Sequence, residues 1–173
     1  MLASLIGELV SVLNRENEEY EQMLALSQRK TPVIVQGDIA TLQEITEEEQ
    51  KRIDVITQLE KDRMACLVDI GKVIGREAET IMLADLVRAL DRSPADQREL
   101  DDAHRKLKET LKHLHEINSR NRELLSTALE MVEFDLNIMR ASKQAPETAN
   151  YNRGAYNAGS MLGAGRSGFD AKS

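Results

Sequence analysis

Tryptophan is absent, and aromatic residues make up only 3% of the 173 positions, so any core has to be assembled from Leu, Ile, Val, Met and Ala. Such a core suits helix against helix, because sheets draw on aromatic and β-branched side chains. The one β-rich run, Pro32-Val33-Ile34-Val35, is too short to found a sheet. Cysteine occurs once, at Cys66, which excludes an intramolecular disulfide. The opening Met1-Leu2-Ala3-Ser4-Leu5-Ile6 has neither the basic region nor the small-residue cleavage site of a secretory signal, and the expected compartment is a reducing cytoplasm. Every apolar run is broken by charge well short of the ~18 residues that cross a bilayer, so no membrane insertion is expected. Cations are outnumbered, with 23 Lys and Arg against 30 Asp and Glu and a net charge of −7. Nucleic acid and anionic lipid therefore gain no electrostatic hold on the chain.

What the chain has in quantity is helical periodicity. Apolar residues fall three or four apart from Leu2 through Leu13 to Leu24, with Glu16 filling one turn of the stripe. This first helix is expected to stop near Lys30, because Pro32 disfavours a helical Thr31 and has no N–H for the ladder. A second is expected from Asp38, an N-cap preceded by the flexible Gly37, to about Gly75. Its stripe contains Ile39, Leu42, Ile45, Ile53, Ile56, Leu59, Leu67, Ile70 and Val73, with Glu49, Arg63 and Cys66 in the intervening turns. A short helix over residues 79–90 should close at Asp91-Arg92-Ser93-Pro94. Ser93 as N-cap, Pro94 at the first helical position and Asp96 in the first turn then start a third long helix, running to about Ala141. The fold class is all-α: an elongated antiparallel bundle or coiled coil of three long helices plus a short one, forming a helical domain over residues 1–142.

Residues 143–173 carry five of the nine glycines and almost no aliphatic residues, so a flexible Gly- and Asn-rich tail is expected there. Three of the five aromatic residues, Tyr151, Tyr156 and Phe169, lie in it. In so polar a segment an aromatic either anchors a partner's pocket or is incidental.

The last helix changes character along its length. At about 100° per residue, the apolar side chains from Leu100 to Ile117, Leu111 included, fit an arc of about 120°, one packing face. Leu124, Leu125, Ala128, Met131, Val132, Phe134, Ile138 and Met139, together with Leu129 and Leu136, spread over about 220°. Part of that arc is either covered by another helix of the chain or offered to a partner protein, and Asp135 in its middle argues against complete burial. Asn118 and Asn121 put amides where the stripe calls for Leu; such amides fix helix register at a cost in stability.

No catalytic set emerges. Gly163-Ala164-Gly165-Arg166-Ser167-Gly168 has the letters of a dinucleotide loop, but no strand precedes it and no helix can follow it. His113 and His115 point about 160° apart on a helix, and His104 is more than two turns away, so no metal site is expected and all three should be solvated. Glu47, Glu48 and Glu49 point around a helix as a solvated surface, and Cys66 sits in an apolar stripe as an inert thiol. No cofactor is expected, and no enzymatic activity.

The chain resembles the FlgN family of flagellar export chaperones along essentially its whole length. The resemblance lies in Glu18-Glu19-Tyr20-Glu21-Gln22-Met23-Leu24, in the run from Gly37-Asp38 to Leu59-Glu60-Lys61-Asp62-Arg63, and in Asn118-Ser119-Arg120-Asn121-Arg122-Glu123-Leu124-Leu125. Tyr151-Asn152-Arg153-Gly154 is similar to the short tyrosine-glycine element after the last helix of many members. The resemblance implies binding of the terminal helical segments of the hook-associated proteins FlgK and FlgL before type III export, a contact assigned here to the arc over residues 124–139. It also implies docking on the cytoplasmic domain of the export gate FlhA through a tail tyrosine, Tyr151 or Tyr156. The Gly-rich end is not part of the family pattern. The competing reading is a homo-oligomeric coiled-coil scaffold or adaptor with no export role, and a homodimer is compatible with either.

Overall fold

The computed structural model describes residues 2–144, and among them there are helices and no strand. Four α-helices follow one another: α1 (Leu2–Gln36), α2 (Ile39–Ile74), α3 (Leu83–Ala89) and α4 (Pro94–Gln144), with a single 3-10 turn at Ala78–Thr80. The chain divides into two compact units, Met1–Ala128 and Leu129–Ser173, and the described part of the second is helical throughout.

In the first unit α1 is the shared partner. Ion pairs join Glu16 to Arg63 and Lys30 to Glu49, so α1 and α2 run antiparallel. Thr110 pairs with Asn17 and Asn121 with Thr31, so α4 runs parallel to α1. The main core lies where α1, the end of α2, α3 and the start of α4 meet, around Leu9, Leu13, Ile70 and Leu100, all fully buried. Each such side chain contributes about 1.5–3 kcal/mol by leaving water. Further along α1, Met23, Ile56 and Leu114 bring one side chain from each long helix into a smaller cluster.

α1 does not stop at Lys30, as expected, but continues through Pro32 to Gln36. Proline removes the donor for the carbonyl of Gln28, and both Pro32 and Gln28 are exposed, so water can take that hydrogen bond. Ile34 on the opposite side is buried and rewards the extra turn. The helix then closes by a Schellman motif: Gly37 at φ 68° lets its N–H reach the carbonyl of Ile34 (3.1 Å) and that of Asp38 reach Val33 (3.2 Å). One residue later, the Asp38 carboxylate accepts from the Thr41 N–H (3.1 Å) and hydroxyl (2.6 Å) and caps α2 as expected. Those hydrogen bonds hold its pKa below the usual carboxylate value.

The expected helix over residues 79–90 is two shorter pieces. Met82 is extended and offers no side-chain cap, and the buried Ile81 ties this link to the core. Ser93 and Pro94 start α4 as expected, with the Ser93 hydroxyl donating to Asp96 (2.6 Å). Four stripe residues, Ile39, Ile53, Val73 and Leu111, are exposed, because long helices drift off a fixed seam and Thr110 takes the buried place beside Leu111. Glu49 is not part of a solvated run, since its side chain is drawn in against Lys30. His104 is half-buried, and so is Cys66, whose thiol pKa is pushed up by burial.

Gly71 has no room for a side chain: a Cβ there would run into the carbonyl oxygen of Arg76, where the backbone folds back after the Gly75 cap. Gly71→Ala is expected to destabilise the protein by about 1–3 kcal/mol. Gly7 is exposed in α1 with open space around it, so Gly7→Ala should instead add about 0.5–1 kcal/mol. Urea unfolding of the two variants checks the pair. Asn121→Ala should cost about 1–3 kcal/mol by stripping two hydrogen bonds from a buried site, and Asn118→Ala, at an exposed position, less than Asn121→Ala by the same measurement.

Candidate functional site

The side chains that join α1 to its neighbours are largely polar. On the α2 side, Glu16 is fully buried; its Oε2 lies 3.3 Å from an Arg63 guanidinium nitrogen, and its Oε1 has no hydrogen-bond partner among the described residues. Burial raises the Glu16 pKa, and Arg63 only partly offsets it. Beside this pair the Tyr20 hydroxyl donates to Glu60 (3.3 Å), and burial together with the Glu60 charge pushes the Tyr20 pKa up to about 12. Arg52 pairs with Glu19 at 3.1 Å.

On the α4 side, the two asparagines of the stripe have partners. Ser27 donates its hydroxyl to Asn118 (2.9 Å), Asn121 donates its amide to the Ser27 carbonyl (2.8 Å), and Thr31 donates to the Asn121 side-chain oxygen (2.7 Å). Both asparagines thus join α4 to α1, Asn121 at a buried and Asn118 at an exposed position, with Thr110 donating to Asn17 (2.8 Å) at an earlier level.

Between α2 and α4, over α1, lies an open groove of about 650 Å³. Met23, Ile53, Ile56, Leu114 and Leu125 supply its apolar surface, and Glu60, Asn118 and Arg122 its polar edge. Of these only Leu125 stood among the expected site residues; the exposed Ile53 looked in sequence like one more stripe residue.

The expected contact residues of α4 fall into two groups. Leu124, Leu125 and Ala128 belong to the first unit and are half-buried. Met131, Val132, Phe134, Ile138 and Met139 belong to the second and are exposed, with 64% of Met131 and of Phe134 open to solvent. Leu129 (64%) and Leu136 (44%) are exposed with them and extend the set. Their signal in the sequence was the spacing Leu129, Val132, Leu136, Met139, a helical stripe of its own. Tyr151, Tyr156 and Phe169 lie outside the described residues. Among the described residues no group of three His, Cys, Asp or Glu could hold a metal ion, and no helix is long and apolar enough to cross a membrane.

The family model for the FlgN protein matches residues 1–158. A protein of Bacillus subtilis (strain 168), named uncharacterized protein YvyG, is 26% identical over 144 residues, which cover 83% of each chain. No solved structure matches. A family match that takes in all four helices, the polar pairings of α1 and the exposed row on α4 leads to one conclusion: the chain belongs to the FlgN family of flagellar export chaperones.

Proposed function

We propose that this protein binds the terminal helical segments of hook-associated proteins of the FlgK and FlgL kind and delivers them to the cytoplasmic domain of the export gate FlhA. The supporting observation is the row of seven exposed apolar side chains over residues 129–139, within a chain of a chaperone family. Covering one large apolar side chain fully is worth about 1.5–3 kcal/mol. Association costs about 4–15 kcal/mol before any net affinity appears, so one or two contacts cannot hold a cargo and most of the row must take part. Two of the seven, Met131 and Met139, are methionines, which suit a surface that repacks against more than one cargo, since the unbranched thioether side chain adapts its shape. The role is binding and handing over, with no catalysis.

Gate docking is assigned to Tyr151 or Tyr156. Which tyrosine serves is a matter for single Tyr→Ala variants: loss of gate affinity with cargo affinity retained is the expected result for one of them, and gate affinity unchanged in both removes the tail from the role.

For cargo, the full chain is titrated calorimetrically with a terminal segment of a hook-associated protein. Met131→Asp and Phe134→Asp, at positions already exposed, are expected to leave helicity and melting temperature nearly unchanged and to weaken binding at least about tenfold each. Wild-type affinity in both variants contradicts the assignment.

A further inference from the structure

The exposed row on the second unit is not one stripe but two. At about 100° per residue, Leu129, Val132, Leu136 and Met139 fall within about 80° of one another, and Met131, Phe134 and Ile138 within about 60°. The centres of the two stripes are about 150° apart around the helix. Asp135 stands between them on the narrower side, and Glu130, Glu133 and Asn137 fill the broad side. All seven apolar residues are exposed, so both stripes are apolar surface.

A single helix packed alongside another covers an apolar arc of roughly 100°. It can therefore seal one of these stripes, but it leaves the other in water. From this we infer that the cargo-binding part of the chain lies between two helices of its partner, one on the stripe of Leu136 and one on the stripe of Ile138. The inference rests on the proposed cargo role and specifies the shape of what is held: a partner with two amphipathic helices, each of about three turns or more, to match the roughly 15 Å between Leu129 and Met139.

Charge adds the chemistry of that partner. Residues 129–138 hold three carboxylates, Glu130, Glu133 and Asp135, and no Lys or Arg. Asp135 flanks both stripes, so a helix on either is favoured when it carries Lys or Arg beside its apolar positions. A second copy of this chain fits poorly. Parallel in register it sets Asp135 level with Asp135, and antiparallel about Phe134 it sets Glu133 level with Asp135, and like charges set opposite each other repel.

The test is amide hydrogen exchange on the terminal segment of a hook-associated protein, free and bound to the full chain, with wild type, Leu136→Asp and Ile138→Asp. Leu136→Gln and Ile138→Gln repeat the pair without adding charge. The expected result is two separate protected blocks in the cargo, one released by the change at Leu136 and the other by the change at Ile138, with affinity falling at least about tenfold in each case. A single protected block released by either change overturns the two-helix inference and leaves the cargo role standing. Binding and protection indifferent to all four variants overturn both.

Discussion

The alignment of α4 on α1 in the first unit depends on Asn121. Its amide donates to the Ser27 carbonyl and its oxygen accepts from the Thr31 hydroxyl, which pins Asn121 level with the last turns of α1. A leucine in its place would allow neighbouring registers, but a buried amide with two specified partners does not tolerate a shift, because each partner would then be left without its hydrogen bond. With α1 and α4 parallel, the end of α1 at Gln36 falls level with Ser126. Near that level, Leu124, Leu125 and Ala128 of the first unit are half-buried; in the second unit Met131, Val132, Phe134, Leu136, Ile138 and Met139 are exposed. The position of one amide therefore fixes how α4 is aligned on α1 within the first unit.

α2 is held to α1 by a different chemistry with the same effect. Glu16, Glu19 and Lys30 meet Arg63, Arg52 and Glu49, and these pairs specify an antiparallel register that leucines alone would leave degenerate. Glu16 is the costly member, since it is fully buried with one oxygen unpartnered among the described residues. In a chain whose core has few aromatic side chains, stability comes from many aliphatic contacts spread along the helices. Polar pairs then supply the alignment that such contacts do not.

Much of this was legible in the sequence. The long stripes, the Asp38 and Ser93 caps and the oddity of Asn118 and Asn121 all follow from local rules that the fold obeys. Pro32 misled because its cost depends on which side of the helix loses the hydrogen bond, and that side is exposed here while Ile34 opposite is buried. The pairing of Glu16 with Arg63 was out of reach, since it depends on how two stripes meet across a turn. Of the site, the wide arc on α4 was visible as a pattern, yet its division into exposed stripes and half-buried Leu124, Leu125 and Ala128 is a matter of burial that spacing does not carry. Periodicity says which residues share a face; it does not say which faces are covered.

The central claim is that the apolar row on α4 is open in the isolated protein and closed by cargo. It is tested most directly by thiol labelling of Phe134→Cys in a chain whose one natural cysteine, Cys66, has been replaced by Ser. The account predicts labelling near the rate of a free thiol at every protein concentration, slowed sharply when a hook-associated protein is added. Slow labelling of the isolated chain, unchanged by cargo, would mean that this surface is already covered and would contradict the account.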